Sequence, residues 1–330
     1  MKKNIIGLLG ALVLNACSNE TPQDQENISL KATAEVQRYC PSEELRELAL
    51  QANADLRQKY NLLEQNTKDY IQKNKFNKVL VDGSIEIPVI VNVLYKTNAE
   101  NVSDARIAEQ IAVLNQDYSA TNTDAYKIPS EFSAIAAGDT KIKFRLVKIN
   151  RKQTNKTSWS PNDYMKKTSQ GGLDATSPNN YLNLWVVGKM SYQGKTILGY
   201  AAFPEYAGLW NDGVVIAAPY FGKTGASAPY NLGRTATHEV GHYLNLKHIW
   251  GDANCGNDEV EDTPTQPTAN YGTPSYPLYK SCGGTSRSTM FMNYMDYVDD
   301  KAMFMFSQGQ KDRANSVLTV NGARAGLRTL

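Results

Sequence analysis

All three histidines of this chain lie within eleven residues, from His238 to His248. His238 and His242 are four residues apart, a spacing that puts both imidazoles on one face of a helix, one turn apart. Two neutral imidazoles placed in this way can share one Zn²⁺ at about 2.0–2.1 Å each. Glu239 would point about 100° around the helix, beside the metal rather than onto it. The pattern therefore predicts a zinc site with Glu239 as general base for a metal-activated water.

His248 is the candidate third ligand, and the chain must turn to bring it to the other two. It follows His242 by six residues, too far along to share their face if the helix continued. Asn245 is the expected pivot, because asparagine is the residue after glycine that best tolerates the left-handed conformation that ends helices. A core helix with a chance histidine pair is the alternative.

The first residues read as a targeting signal rather than as part of the fold. Two lysines precede an apolar stretch, Ile5 to Leu14, that is too short to span a bilayer. Leu14 to Cys17 resembles a bacterial lipoprotein signal, with leucine three residues before the cysteine. This predicts a signal peptide over residues 1–16 and lipidation of Cys17, with simple secretion as the alternative. Either way the protein is exported from a bacterial cell, as an outer-membrane lipoprotein at the cell surface or as a secreted protein, and disulfides are permitted.

Length and charge exclude several classes of function. The chain has 330 residues and a formal net charge of +2, which allows one or two domains with an ample core. There is no basic excess to suggest nucleic acid as a partner. No later stretch is long and apolar enough to span a bilayer, so contact with a membrane is expected only through a lipid anchor on Cys17.

Residues 17–80 are predicted to be a tether and a pro-segment. Residues 18–38 are polar and read as a flexible tether. A helical pattern from Pro41 to about Tyr70 follows and precedes everything that resembles a globular core. The stretch from Lys73 to Lys78 is rich in lysine and asparagine and is predicted to be a processing linker.

The core is predicted to be a mixed α/β sheet with one active-site helix, followed by an irregular second half. β-Branched content and alternation predict five strands: Ile87–Tyr95, Ile142–Val147, Tyr181–Val187, Leu198–Pro204 and Gly213–Ala217. Helices are predicted from Ser103 onwards, over Gly233–Leu244 and over Gln308–Val317. Loops and turns are expected from Gly251 to the last helix.

The histidine string closely resembles the zinc motif of the metzincin peptidases, in which glycine stands where this chain has Asn245. Within that clan it is most similar to the pappalysin family, and to its ulilysin-like prokaryotic members. The resemblance extends to two strands, a Met-turn and the segment after it: Ile87–Val91, Leu198–Pro204, Asn293–Tyr297 and Met303–Gln310. It implies a metzincin-type α/β (α+β) catalytic domain over residues 81–330, with a twisted mixed five-stranded sheet. The implied N-terminal subdomain covers about 81–248, and an irregular C-terminal subdomain covers about 249–330.

The resemblance implies a zinc endopeptidase that acts on protein or peptide substrates. The three histidines would hold zinc and leave a fourth position open for water, as catalytic zinc sites do. Glu239 would take the proton of that water and pass it to the leaving amine. Met295 would form an apolar floor under the imidazoles, and Tyr297 would hydrogen-bond the tetrahedral intermediate.

The remaining cysteines separate into a pair and a single thiol. Cys255 and Cys282 flank a turn-rich loop in an exported protein, and a disulfide is the simplest interpretation; ulilysin-like enzymes carry such a bridge. Cys40 is then unpaired in the pro-segment, where a thiolate could bind zinc at about 2.3 Å in place of water. This resembles the cysteine switch of the family's zymogens, although Pro41 stands where glycine is frequent. The pro-segment would then inhibit its own enzyme; a stray thiol is the alternative.

An acidic segment between the paired cysteines is a candidate calcium site. Carboxylates with backbone carbonyls between them suit a hard cation with oxygen ligands, and the segment resembles a calcium site of ulilysin-like enzymes. The candidate ligands are Asp258, Val260 through its carbonyl, Asp262 and Thr263. A solvated acidic loop is the alternative.

Asp300 is the candidate specificity residue. In ulilysin-like relatives an aspartate after the Met-turn selects arginine or lysine just after the cleaved bond, and the resemblance carries this role to Asp300. Lys73, Lys75 and Lys78 would then be sites of self-processing.

Two other functions remain open at this point. A surface lipoprotein could bind a ligand on a protease-like scaffold without turnover, but the intact Glu239 argues against it. A zinc peptidase of another clan would take its third ligand from a glutamate on a later helix, but His248 and the Met-turn argue against that.

Overall fold

A five-stranded mixed sheet lies at the centre of the computed structural model, which describes residues 36–77 and 83–328. The predicted signal peptide, Cys17, most of the tether and Lys78 lie outside the described residues. Within the described part of the chain, no helix is long and apolar enough to cross a bilayer.

The predicted sheet is confirmed, and its strands lie in the order β2 (Ile142–Gln153), β1 (Ile85–Tyr95), β3 (Leu182–Val187), β7 (Val214–Ala217) and β6 (Gly199–Ala201). Neighbours in the row from β2 to β7 are parallel, and β6 pairs antiparallel with β7 at one edge. β1 and β3 are buried almost throughout, as expected for central parallel strands covered on both faces. The other strands of the described residues are β4 (Ser191–Tyr192), β5 (Lys195–Thr196), β8 (Tyr279–Cys282) and β9 (Thr285–Ser288).

Two of the helices, α3 (Asp104–Tyr118) and α5 (Arg234–Tyr243), position the zinc motif against the sheet. The Ser103 hydroxyl caps α3 by accepting a hydrogen bond from the backbone N–H of Arg106. α5 packs against α3, β6 and β7. The helices are α1 (Ser42–Ala52), α2 (Ala54–Asn77), α3 (Asp104–Tyr118), α4 (Ser130–Ser133), α5 (Arg234–Tyr243) and α6 (Gln308–Ser316).

Several predicted boundaries within the catalytic domain are wrong. β6 ends at Ala201 rather than at Pro204, because proline cannot donate to the ladder and instead opens a 3-10 turn, Pro204–Tyr206. β2 runs six residues beyond the predicted end, to Gln153. The region predicted as loops contains the antiparallel hairpin β8–β9, whose residues are mostly exposed and polar and so carry no hydrophobic alternation.

The pro-segment differs from the prediction at two places. It forms two helices rather than one, since Asn53 is extended and its side chain caps α2 by accepting from the N–H of Leu56 at 3.0 Å. The stretch predicted to be a processing linker is helical as far as Asn77, because α2 continues to that residue and includes Lys73 and Lys75. Lysine, glutamine and asparagine without glycine or proline provide no signal that ends a helix.

Candidate metal centre

Helix α5 brings the first two histidines together as predicted. It begins after Gly233, which has a left-handed φ of 81°, and all ten of its residues are buried. The Nε2 atoms of His238 and His242 lie 3.2 Å apart. The four-residue spacing therefore places both imidazoles on one face of the helix.

The predicted turn at Asn245 is confirmed. Asn245 has φ +74°, and the N–H of Leu246 donates back to the carbonyl of Gly241 at 2.9 Å. Arg313 donates its Nε to the Asn245 carbonyl at 2.7 Å and so fixes the turn from α6. The reversed chain brings Nε2 of His248 to 3.1 Å from that of His242 and 3.3 Å from that of His238.

These donors fit a tetrahedral zinc ion. Bonds of about 2.0–2.1 Å in a tetrahedron separate two nitrogens by about 3.4 Å, close to the distances between the three Nε2 atoms. Within the described ranges, one group of histidine, cysteine and acidic side chains is arranged to hold a metal. It joins the three histidines to Cys40, with donor atoms within 4.8 Å of one another and all four residues buried.

Each imidazole is oriented by a hydrogen bond from its other nitrogen. The acceptors are Tyr294 O, 2.7 Å from Nδ1 of His238, Leu246 O, 2.8 Å from Nδ1 of His242, and an Asp252 carboxylate oxygen, 2.7 Å from Nδ1 of His248. Carbonyl and carboxylate oxygens can only accept, so each Nδ1 donates and each Nε2 presents its lone pair to the metal position. Asp252 was missed from the sequence, although it lies only four residues after His248.

Burial and nearby charges shift the pKa values of the three imidazoles in different directions. Burial, together with the neighbouring imidazoles, holds the pKa of His238 and His242 well below the usual range, which favours the neutral form that binds metals. For His248, burial lowers the pKa but the Asp252 carboxylate outweighs it and raises the pKa overall. Asp252 therefore stabilises positive charge at His248.

Glu239 lies beside the metal position, as predicted. Its Oε2 is 3.3 Å from both Cys40 Sγ and Ser42 Oγ. A Cβ on Gly199 would lie 2.7 Å from Glu239 Cγ, so glycine on β6 leaves room for the carboxylate. Burial raises the pKa of Glu239 to about 7, a value suited to a group that accepts and then releases a proton near neutral pH.

Met295 lies against the zinc-motif helix. It is fully buried, and a Cβ on Gly241 of α5 would meet its sulfur at 2.4 Å. The side-chain oxygen of Asn293 accepts from the Met295 N–H at 2.9 Å and fixes the turn. The arrangement agrees with a packing role for this methionine.

Tyr297 forms two hydrogen bonds with the backbone of Cys40. Its hydroxyl accepts from the Cys40 N–H at 3.0 Å and donates to the Cys40 carbonyl at 2.9 Å. Its ring centroid lies 4.9 Å from that of His248 and 5.8 Å from that of His238. Tyr297 therefore faces the metal position, and its hydroxyl is engaged by the pro-segment.

Ser42 is a further contact between the pro-segment and the site that the sequence did not indicate. Its hydroxyl accepts from the backbone N–H of Ala201 on β6 at 2.9 Å and lies 3.0 Å from Cys40 Sγ. Cys40 is a buried free cysteine, and burial, with the charge of Glu239, raises the pKa of its thiol. A cation at the histidines would oppose this shift by stabilising the thiolate.

Asp300 is fully buried and receives an arginine of the pro-segment. Its Oδ1 accepts from Arg38 Nη2 at 2.6 Å, and its Oδ2 accepts from the backbone N–H groups of Leu232 at 2.7 Å and Arg234 at 3.3 Å. Arg38 was missed from the sequence. The sequence did contain a signal for this contact. Arg38 lies two residues before Cys40, and Asp300 was already expected to bind an arginine side chain.

The structure contains the predicted Cys255–Cys282 disulfide, which joins the loop after the zinc motif to β8. In the acidic segment, Asp258 is buried and accepts from the Thr263 hydroxyl at 2.8 Å. The oxygens of Asp262 instead accept from the Ser307 hydroxyl and the N–H of Gly309, at the start of α6. The acidic segment thus has one buried carboxylate, and a second that is engaged in capping a helix.

The mixed sheet, α5 with the turn at Asn245 after it, the third histidine and the methionine turn are those of a metzincin metalloprotease. A family model described as pregnancy-associated plasma protein-A matches residues 167–319. The chain belongs to this metalloprotease family, the pappalysins, and is ulilysin-like.

Relatives and solved structures agree with this assignment. An extracellular metalloprotease of Arthroderma otae is 30% identical over 70% of this chain and 77% of the relative. Another, of Trichophyton verrucosum, is 31% identical over 70% of this chain and 76% of the relative. Mature mirolysin of Tannerella forsythia in complex with a cleaved peptide is 41% identical, with a TM-score of 0.71, over 75% of this chain and 96% of that chain. A promirolysin mutant of the same organism is 38% identical, with a TM-score of 0.78, over 88% of this chain and 97% of that chain.

Proposed function

We propose that this chain is an exported, zinc-dependent endopeptidase made as a latent zymogen. The observation that carries the proposal is the convergence of three histidine nitrogens and the Cys40 sulfur, with Glu239 beside them. Elemental analysis for zinc, made together with a protein-cleavage assay on the processed enzyme, tests it. About one zinc per chain and proteolysis are expected, and full proteolysis by a metal-free chain would contradict the proposal.

Removal of the pro-segment would free the groups needed for peptide hydrolysis. When bound, zinc would polarise the scissile carbonyl and lower the pKa of an attacking water. Glu239 would accept the proton of that water and pass it to the leaving amine. The Tyr297 hydroxyl, released from Cys40, would donate to the oxyanion of the tetrahedral intermediate. The Ala201 N–H, released from Ser42, would bind the main chain of a substrate along β6.

Cys40 is proposed as the group that keeps the zymogen latent. A thiolate at the fourth ligand position would exclude water from it, and the contact with Glu239 would occupy the base. The similarity to promirolysin supports a zymogen of this type. The pro-segment would thus act as an intramolecular inhibitor.

Asp300 is proposed to select arginine or lysine just after the cleaved bond. The proposal is supported by the Arg38 guanidinium, which lies in the same buried site as a substrate side chain would. Asp300→Asn in the processed enzyme should reduce the preference for a basic over a neutral residue by about 10–100-fold in kcat/KM, because a charged hydrogen-bonded pair contributes about 1.5–3 kcal/mol. A peptide-library cleavage profile measures the preference.

Asp299→Asn is the matched control, since it removes the same charge one residue earlier, where the carboxylate binds the Thr273 hydroxyl. It should keep the basic preference. A wild-type profile with no basic preference at this position would refute the role of Asp300.

Calcium is proposed to bind at Asp258 together with Val260 O, Asp262 and Thr263. Burial raises the pKa of Asp258 to about 7, so the native chain holds this proton more tightly than the unfolded chain. Without calcium, stability contributed by Asp258 should therefore fall as pH rises from about 4 to about 7. A bound cation would stabilise the ionised form and reverse the penalty above that pH.

Saturating calcium should accordingly raise Tm by about 5–10 °C at pH 8, and by much less at pH 5.5. Thermal unfolding of the Glu239→Ala zymogen, with calcium or a chelator, measures this without self-digestion. Asp258→Asn should abolish the response, whereas Asp139→Asn, on the exposed surface, should keep it. A Tm at pH 8 that does not change with calcium would exclude the site.

Export is supported by relatives named as extracellular metalloproteases. Attachment through a lipid on Cys17 is proposed from the signal sequence alone. Mass analysis of the N-terminal peptide of the membrane fraction tests it, and a mature N-terminus that lacks Cys17 would contradict it.

Self-processing after the pro-segment is proposed near Lys73, Lys75 and Lys78. The first two lie in the last turns of α2, so cleavage there would require local unfolding of the helix. N-terminal sequencing of the processed enzyme tests the position, and a start far from these lysines would contradict it.

A further inference from the structure

We propose that Glu205 and Phe203 form a second subsite for a basic substrate side chain, on the other side of the zinc position from Asp300. The inference rests on the proposed endopeptidase function and deepens it. The ligand is a guanidinium or ammonium group on a residue that precedes the cleaved bond. The subsite is filled in the zymogen by Arg46 of α1.

Glu205 forms a buried, two-pronged ion pair with Arg46. Its Oε1 accepts from Arg46 Nε at 2.8 Å, and its Oε2 accepts from Arg46 Nη2 at 3.4 Å. Both side chains are almost fully buried, at 0% and 1% relative exposure. This geometry, in which the planar fork of arginine meets both carboxylate oxygens, is the one by which proteins recognise arginine specifically.

An aromatic ring completes the recognition of the guanidinium. Cζ of Arg46 lies 3.9 Å from the centroid of the Phe203 ring, well within the range of a cation–π contact. The same ring packs on His242, with centroids 5.1 Å apart. The guanidinium of Arg46 is thus separated from a zinc-binding imidazole by a single ring.

The course of the pro-segment fixes the subsite relative to the cleaved bond. Arg38 reaches Asp300 before the chain passes the metal position at Cys40, and Arg46 reaches Glu205 after it. The two carboxylates therefore lie on opposite sides of the zinc position. A substrate that fills the Asp300 site with the residue after the cleaved bond would present its preceding residues to β6 and to Glu205.

Glu205 would become accessible when the pro-segment is removed. It is the middle residue of the 3-10 turn Pro204–Tyr206 and lines a cavity of 270 Å³ whose other wall is α2, including Leu62 and Leu63. A second cavity, of 510 Å³, lies between α1 and the wall that holds Phe203. Arg46 is the cation that pairs directly with Glu205 in the zymogen, so its loss would leave the carboxylate without a hydrogen-bonded cation and open to a new one.

Two competing cations near this wall are already engaged. Arg324 donates to both oxygens of Asp212. Lys166 pairs with Asp163 and donates to the carbonyl of Asn211 at 2.7 Å. Neither is positioned by its contacts to replace Arg46 at Glu205, so a substrate cation is the better partner.

The test compares arginine with citrulline, its neutral isostere, at each of the positions before the cleaved bond in a peptide with lysine or arginine after it. In the processed wild type, arginine should raise kcat/KM about tenfold at one of these positions. In Glu205→Gln the difference should shrink to about twofold or less, with cleavage of the citrulline peptide little changed. Glu109→Gln, on the exposed face of α3, is the matched control and should keep the full difference.

The outcomes separate this subsite from the proposed function. Equal cleavage of both peptides by wild type, or a difference that persists in Glu205→Gln, would overturn the subsite while leaving a working endopeptidase. Absence of any cleavage would instead count against the proposed function. Glu239→Ala, cleaved by active wild type and then separated from it, provides an independent measure, because peptide binding needs no turnover: arginine should bind about tenfold tighter than citrulline, and equal affinities would again overturn the subsite. Thermal unfolding checks that Glu205→Gln is folded.

Discussion

Replacement of Glu239 by alanine is expected to lower kcat/KM for protein cleavage by about 10²–10⁴-fold, the usual contribution of a general acid–base group. Zinc content should stay at about one per chain, because Glu239 lies beside the three histidines and is not itself one of the predicted metal ligands. The carboxylate is buried next to the metal position, and the metal cluster within the described residues contains no acidic group. Elemental analysis and steady-state kinetics measure the two quantities together, on Glu239→Ala that active wild type has cleaved and that is then separated from it.

Glu109→Ala is a suitable control, since it removes a carboxylate from the exposed face of α3, where it binds Thr224. This variant should keep wild-type activity. Retained proteolysis in Glu239→Ala would overturn the mechanism, and loss of zinc from that variant would show that Glu239 also supports the metal. The variant also stops self-digestion and so permits the measurements on the zymogen.

The zinc motif could be predicted from sequence because its geometry is local. A spacing of four residues fixes the angle between His238 and His242 on any helix. The turn at Asn245 needs only one residue that tolerates a positive φ, and it has φ +74°. The third histidine then has few positions available to it. The same locality explains why the central strands were predicted, since their β-branched residues are buried on both faces.

Contacts that depend on distant parts of the chain could not be derived in this way. Arg38 meets Asp300 across 262 residues, and Arg46 meets Glu205 across 159. No periodicity links such pairs, because the sheet and α5 must form before either partner has a fixed position. Asp252 is different: it is close in sequence to His248, and the rule that metal-binding imidazoles donate to a carboxylate could have identified it.

Errors in the secondary structure have a related cause. The hairpin β8–β9 is mostly exposed and carries little apolar patterning, so the disulfide at Cys282 and the turn determine it more than hydrophobic alternation does. The break between α1 and α2 depends on one asparagine, Asn53, whose side chain caps the second helix. No residue before Asn77 provides a signal that ends α2, and the linker was predicted from composition alone.

Cys40→Ala is expected to convert the zymogen to the active form about tenfold faster or more, or to cause self-degradation. The Cys40 sulfur lies with the three histidine nitrogens and contacts Glu239, so its removal would open the fourth ligand position to water and release the base. The pro-segment would stay bound at first, because the ion pairs of Arg38 with Asp300 and of Glu64 with Arg313 do not depend on the sulfur. A time course of processing for the purified zymogen, followed by gel electrophoresis and by cleavage of a quenched peptide, measures the effect.

Arg57→Ala is the matched control, since Arg57 lies on the exposed side of the pro-segment and pairs only with the exposed Glu47 among the ion pairs described. It should be as latent as the wild type, because an exposed pair contributes about 1 kcal/mol or less. Cys40→Ala combined with Glu239→Ala should remain unprocessed when purified alone, which shows whether conversion is self-catalysed. Latency that is unchanged in Cys40→Ala would mean that steric cover by the pro-segment, held by its buried ion pairs, is sufficient without a sulfur at the metal.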